Sequence, residues 1–293
     1  MRCFPIVLLA AAVTICDVAA QDAPDISSVA ADLKIPALHP GPPAAGRRCL
    51  QATTGWENTD VRFALYLPVN WDRANKHPVI IEFAGNGNYK NSFGDVSTGR
   101  VEGSSMGYGI SGGKDFLWVC MPYLDAAGKK PVITWWGDPP TYAKAPTIDH
   151  CIKAVREVCA RWNGDTERVL LVGFSRGAIA CSAIGLANEE IAGLWRGLVA
   201  YSHYHGVNES WPFEGARRDA ALEHLKRLKG RPQFICGESK AVLDKTRAFL
   251  TDAGAIQHAT IRHTGFRNHS DAWLLRPSEA RDELRAWVAK VMK

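Results

Sequence analysis

A chain of 293 residues that is 46% hydrophobic can bury one large core, which excludes a disordered or fibrous polymer. Its formal net charge is only +5 with the basic residues scattered, so no basic face points to a nucleic-acid partner. Beyond the first twenty residues no segment is long and apolar enough to span a membrane.

Residues 1–20 read "MRCFPIVLLAAAVTICDVAA", with a basic residue, an apolar run from Phe4 to Ile15, and Val18 and Ala20 ahead of Gln21. That is the layout of a secretory signal peptide cleaved near Ala20, and it predicts a secreted or periplasmic protein. Residues 21–46 end in "KIPALHPGPPAAG", proline-rich and without periodicity, and read as an extended leader. The folded domain is expected over 47–293.

Apolar runs at 61–68, 78–84, 116–122, 168–174, 196–202, 231–237 and 258–263 have the length and composition of strands. Helix-like segments fall at 146–162, 176–190, 216–229, 241–253 and 278–292. Short two-sided apolar strands alternating with amphipathic helices predict an α/β fold, a mostly parallel sheet covered on both faces. The glycine-rich stretch 85–113 is expected to be irregular and to lie over a site. Its "GYGISG" at 107–112 matches G-x-G-x-x-G but neither follows a strand nor opens a helix in this reading, so it is not taken as a dinucleotide site.

Beyond the leader the cysteines are Cys49, Cys120, Cys151, Cys159, Cys181 and Cys236. An even number in an exported chain invites disulfides. Cys151 and Cys159, however, fall about 12 Å apart on one helix, too far to bridge. Cys120 and Cys236 end apolar strands, as small core hydrophobes do. One or two bridges at most are expected.

In "VLLVGFSRGAIACSAIG", residues 169–185, Ser175 stands between Gly173 and Gly177 where a strand gives way to a helix. A strained turn packed this closely needs neighbours without side chains, which is the logic of a nucleophile elbow. The C-terminal edge of an open α/β sheet is also where ligands bind.

With this motif and this order of elements, the chain from about Arg47 resembles the α/β-hydrolase superfamily, in particular its secreted esterase and prolyl-oligopeptidase-like branches. The resemblance implies an α/β-hydrolase fold and the order serine, acid, histidine. His269 in "HTGFRNHSDAWLL", after the last strand, matches the family's base position through Gly265, His269 and Trp273. It implies an oxyanion hole from the backbone N–H groups of Asn86 and Arg176. The acid is expected just beyond the 231–237 strand, where Lys240 occupies the usual aspartate position. Glu238 is the preferred acid, with Asp244 and Glu209 as alternatives, while Asp271 is expected to point elsewhere.

Loops at the same sheet edge carry Trp135, Trp136, His203, His205 and Trp211, candidates for a pocket around a ring-bearing substrate. His203 and His205 lack a third placed ligand, so no metal is expected. The reading is a serine hydrolase of an ester, acetyl or feruloyl on a polysaccharide, with no cofactor. A serine peptidase is the alternative within enzymes. A hydrolase fold that binds without turnover is the alternative outside them, and it requires that no carboxylate reach the His269 ring.

Overall fold

The computed structural model describes residues 23–293, so the expected signal peptide at 1–20 lies outside the described residues. In chain order the strands are β1 (Arg48–Gln51), β2 (Phe63–Tyr66), β3 (His77–Phe83), β4 (Tyr89–Lys90), β5 (Val96–Ser97), β6 (Leu117–Met121), β7 (Tyr123–Leu124), β8 (Pro131–Val132), β9 (Gly164–Phe174), β10 (Gly197–Tyr201), β11 (Gln233–Gly237) and β12 (Ala259–His263). The helices are α1 (Met106–Ser111), α2 (Ala145–Trp162), α3 (Arg176–Ala183), α4 (Glu189–Ala192), α5 (Arg218–Lys226), α6 (Lys240–Asp252) and α7 (Glu279–Val291).

The central sheet has eight strands in the order β1-β2-β6-β3-β9-β10-β11-β12. The first two pairings are antiparallel and the rest parallel. Alternation along the strands divides the core in two. Val79, Ile81, Val169 and Leu171 face the layer built from α2 to α6, whereas Ile80, Leu170 and Val172 face α1 and α7. With both faces covered, every residue of β6, β10 and β11 is buried, which is why these strands read as unbroken apolar runs.

Four expectations need correction. The 85–113 stretch is not irregular throughout: β4 and β5 pair as a hairpin, and "GYGISG" lies largely in α1. Its glycines serve close packing, because a Cβ at Gly107 would sit 2.1 Å from the Trp118 ring and one at Gly109 2.4 Å from Leu274. The helix expected over 176–190 breaks into α3 and α4 at Gly185, where a Cβ would lie 2.3 Å from Leu171. Strand β1 was not expected, since only two of its four residues are buried and an antiparallel edge shows little apolar signal. The expected disulfides are absent among the described residues: all six cysteines are free and buried, each used as a small core side chain.

The leader is docked from Pro24 onward and forms a short 3-10 turn at Ile26–Ser28 in place of a wholly extended run. Arg267 N–H donates to the Pro24 carbonyl at 3.1 Å, Asp25 pairs with Arg267, Ile26 is buried, and Asp32 takes both arms of the Arg281 guanidinium. The leader therefore braces the segment that follows β12.

Candidate active site

Ser175 follows β9 and occupies the N-cap position of α3 at φ 55° and ψ −114°, a strained region for a residue with a side chain. Its N–H donates to the Tyr201 carbonyl at 2.9 Å, holding it at the tip of the sheet. The flanking glycines are required by contact: a Cβ at Gly173 would come within 2.1 Å of the Gly177 carbonyl, and one at Gly177 within 2.0 Å of the Phe83 carbonyl.

His269 lies in the turn after β12, with Nε2 3.1 Å from Ser175 Oγ. Its main chain is clamped from both sides. Asp95, in the connection between β4 and β5, accepts from His269 N–H at 2.9 Å and from Asn268 Nδ2 at 2.8 Å. The Tyr201 hydroxyl donates to the Asn268 carbonyl at 2.8 Å. The ring rests against Phe174 and Tyr89, at centroid distances of 4.8 and 5.0 Å.

Glu238, the first residue beyond β11, sets Oε1 2.6 Å from His269 Nδ1. Ser202, at the end of β10, donates its hydroxyl to that same oxygen at 3.0 Å and lies 2.9 Å from Nδ1. His263 Nε2 donates to the Glu238 carbonyl at 2.8 Å, fixing the acid's main chain. Burial pulls the Glu238 carboxyl up, but the hydrogen bond and charge of His269 outweigh it, and its pKa lies below the usual glutamate value. A carboxylate thus sits within reach of the His269 ring, and the condition for a fold that binds without turnover is not met. The other candidate acids lie elsewhere. Asp244 is exposed on α6, and exposed Glu209 accepts from the Arg218 N–H. Asp271 turns away to accept from Ser105 N–H at 3.0 Å.

Asn86 lies on the loop after β3 and Arg176 opens α3 directly after Ser175, and neither backbone N–H is used in a hydrogen bond. Both stay available to a ligand oxygen. From His269 outward an aromatic row runs His269, His203, Trp211, Trp135, with successive centroids 5.5, 5.5 and 5.2 Å apart. Burial, reinforced by His269, pushes the His203 pKa down to about 4, so this ring is neutral at neutral pH.

Trp136 meets the row edge-on at Trp135, 5.7 Å away, but it and His205 lie deeper in the core. Trp136 is fully buried between Tyr123 and Phe213. His205 is 1% exposed and spends both ring nitrogens inside the fold, on Ser182 Oγ at 3.0 Å and the Gly215 carbonyl at 2.7 Å. Among the described residues no group of three or more His, Cys, Asp and Glu is arranged to hold a metal ion, and no helix is long and apolar enough to cross a membrane.

Three neighbours of the site escaped the sequence reading. Ser202 was visible only as the last residue of a strand at the ligand-binding edge, Tyr89 and Asp95 only as members of a glycine-rich loop. Glu82 lies beneath them in β3, fully buried. It accepts from Gly107 N–H at 2.8 Å and Trp118 Nε1 at 2.7 Å; burial, then the Asp271 charge, raises its pKa.

No family model matches the chain, and no curated protein matches it. Solved structures do. An S-formylglutathione hydrolase from Agrobacterium tumefaciens aligns at TM-score 0.56 and 17% identity over 86% of this chain and 98% of its own. An arylesterase aligns at TM-score 0.52 and 11% identity over 88% of each. The AtxE2 isopeptidase aligns at TM-score 0.53 and 15% identity over 84% of this chain. The chain spans only 35% and 40% of the two peptidase-type structures it resembles. All are α/β-hydrolase superfamily members. The sheet, its strand order and these likenesses give one conclusion: the chain has the α/β-hydrolase fold.

Proposed function

We propose that the protein is a serine hydrolase that cleaves a carboxylic ester through an acyl-enzyme. The observation that carries this reading is the continuous path from Glu238 Oε1 through His269 to Ser175 Oγ, at 2.6 and 3.1 Å. Ser175 Oγ attacks the ester carbonyl while His269 Nε2 takes its proton, and the imidazolium formed is stabilised by Glu238. The N–H groups of Asn86 and Arg176 receive the oxyanion. His269 then returns the proton to the leaving alcohol. Water repeats the sequence on the acyl group, with His269 again as base.

For the substrate we propose an acetyl or feruloyl ester carried on a polysaccharide, its ring lying along His203, Trp211 and Trp135. The leading apolar segment supports export, followed by cleavage near Ala20.

The test is reaction of the purified protein with a fluorophosphonate probe and mass mapping of the adduct. Modification of Ser175, together with hydrolysis of acetyl and feruloyl esters, supports the reading. A folded protein that is not modified overturns it. Equal rates on an aminoacyl anilide and the matching ester would replace esterase by peptidase.

A further inference from the structure

The residue after the nucleophile is an arginine, and its side chain does not reach solvent. Arg176 is 1% exposed, although burying a guanidinium costs several kcal/mol unless its donors are satisfied. Three backbone carbonyls take up its two terminal nitrogens, while Nε is buried without a partner. Nη1 donates to Trp135 O, and Nη2 donates to Gly85 O at 2.9 Å and to Gly99 O at 3.3 Å. The guanidinium carbon lies 3.7 Å from the centroid of the Tyr123 ring. Among the described residues no carboxylate forms an ion pair with it. Burial lowers its pKa to about 10, so it stays cationic at neutral pH.

The choice of carbonyls is informative. In a planar trans peptide the C=O of one residue and the N–H of the next point in opposite directions. Holding Gly85 O therefore fixes the direction of the Asn86 N–H, which has no hydrogen bond of its own. The same loop is tied down from its other side: Asn86 Oδ1 accepts from Trp135 N–H at 2.9 Å, and Gly87 N–H donates to Ile133 O at 2.6 Å. A Cβ at Gly99 would fall 2.3 Å from Ile133 O and 2.7 Å from Gly87, so the three segments meet with no room to slide.

Resting on the serine-hydrolase reading, we propose that Arg176 builds both halves of the oxyanion hole. Its backbone N–H is one donor, and its guanidinium, by gripping the Gly85 carbonyl, is the positioning group for the other, the Asn86 N–H. Lysine could not replace it, because one ammonium cannot span three carbonyls as the planar fork does.

The experiment compares Arg176→Gln and Arg176→Lys with the unaltered protein on one ester, and measures binding of an aryl boronic acid, whose adduct with the serine is a tetrahedral anion. Loss of one oxyanion donor costs about 10²- to 10³-fold in kcat. Both variants are expected to lose about 100-fold or more in kcat with KM within about threefold, and boronate affinity should fall with kcat/KM. The pH profile of kcat/KM should keep its shape, because the serine and histidine are untouched. A glutamine variant whose kcat stays within about threefold of the parent overturns the inference, as does a loss that falls on KM and melting temperature instead of kcat. Should the glutamine variant not fold, the lysine variant, which keeps the buried charge, carries the same comparison. An unaltered protein that neither labels nor turns over esters overturns the hydrolase reading and this inference with it. Normal turnover with unaffected variants overturns this inference alone.

Discussion

Ser202 donates to the Glu238 oxygen that also receives the His269 ring, at 3.0 Å beside a 2.6 Å contact. Its φ of 85° is strained for a residue with a side chain, and the hydroxyl so placed contacts Glu238 and His269 together. Ser202→Ala is expected to lower kcat about tenfold, the value of one hydrogen bond to a charged group, with KM little changed. Steady-state kinetics on a soluble ester checks this, and an unaltered kcat would reduce Ser202 to a packing residue.

Glu238→Gln keeps the shape of the site and removes the charge. The second carboxylate oxygen, Oε2, is buried without a partner, so the amide nitrogen can take that position while the amide oxygen still faces Nδ1. The imidazolium then loses its counter-charge, and turnover is expected to fall about 10- to 100-fold, the worth of a hydrogen bond to a charged group. Ser175→Ala should abolish turnover and fluorophosphonate labelling while leaving the melting temperature within a few degrees. Either variant retaining parental activity would remove that residue from the mechanism.

Trp211 bridges His203 and Trp135 in the aromatic row and is only partly buried. Trp211→Ala is expected to raise KM about tenfold for a feruloyl ester, consistent with a lost ring contact of 0.5–1.5 kcal/mol plus its buried area. An acetyl ester of the same alcohol should change far less. Equal effects on both would place the tryptophan outside the acyl subsite.

His150 is fully buried beside Trp56, with Nε2 2.9 Å from Thr53 Oγ1 and Nδ1 unpartnered. Burial pushes its pKa down to about 4, so below about pH 6.5 the unfolded chain takes up a proton that the folded chain refuses. Stability is therefore lost as pH falls from about 6.5 towards 4, by about 1.4 kcal/mol per pH unit for this one group. Glu82 and Asp271, whose raised pKa values act in the opposite sense, cancel when two variants are compared. His150→Gln keeps a partner for Thr53 and should flatten the curve of melting temperature against pH relative to the parent across that window. Parallel curves would refute the assignment.

Much of this arrangement is legible in the sequence because contact distances enforce it. Gly173 and Gly177 stand where no Cβ fits, and the buried parallel strands must be apolar on both faces. The acid is harder to read. Lys240 takes the usual position, and the carboxylate beside His269 comes from Glu238, two residues earlier, whose longer side chain covers the difference. Trp135 and Trp136 pack edge to face at 5.7 Å and share Phe213, yet only Trp135, with a φ of 53°, also meets Trp211, a distinction the sequence does not carry. The Arg176 side chain has no sequence signature, since its partners are main-chain carbonyls that any residue could supply.

The docked leader has a consequence for the order of assembly. Ile26 N–H donates to Asn268 Oδ1 and Asp25 pairs with Arg267, contacts that close 242 residues of chain. Contacts of such separation pay a large loop-closure entropy and form after the local ones. The turn carrying His269 is therefore expected to be locked late, after the sheet that carries Ser175. On the proposed hydrolase reading, a chain in which the segments around Asp25 and Arg267 have not yet met would hold Ser175 without a firmly placed His269.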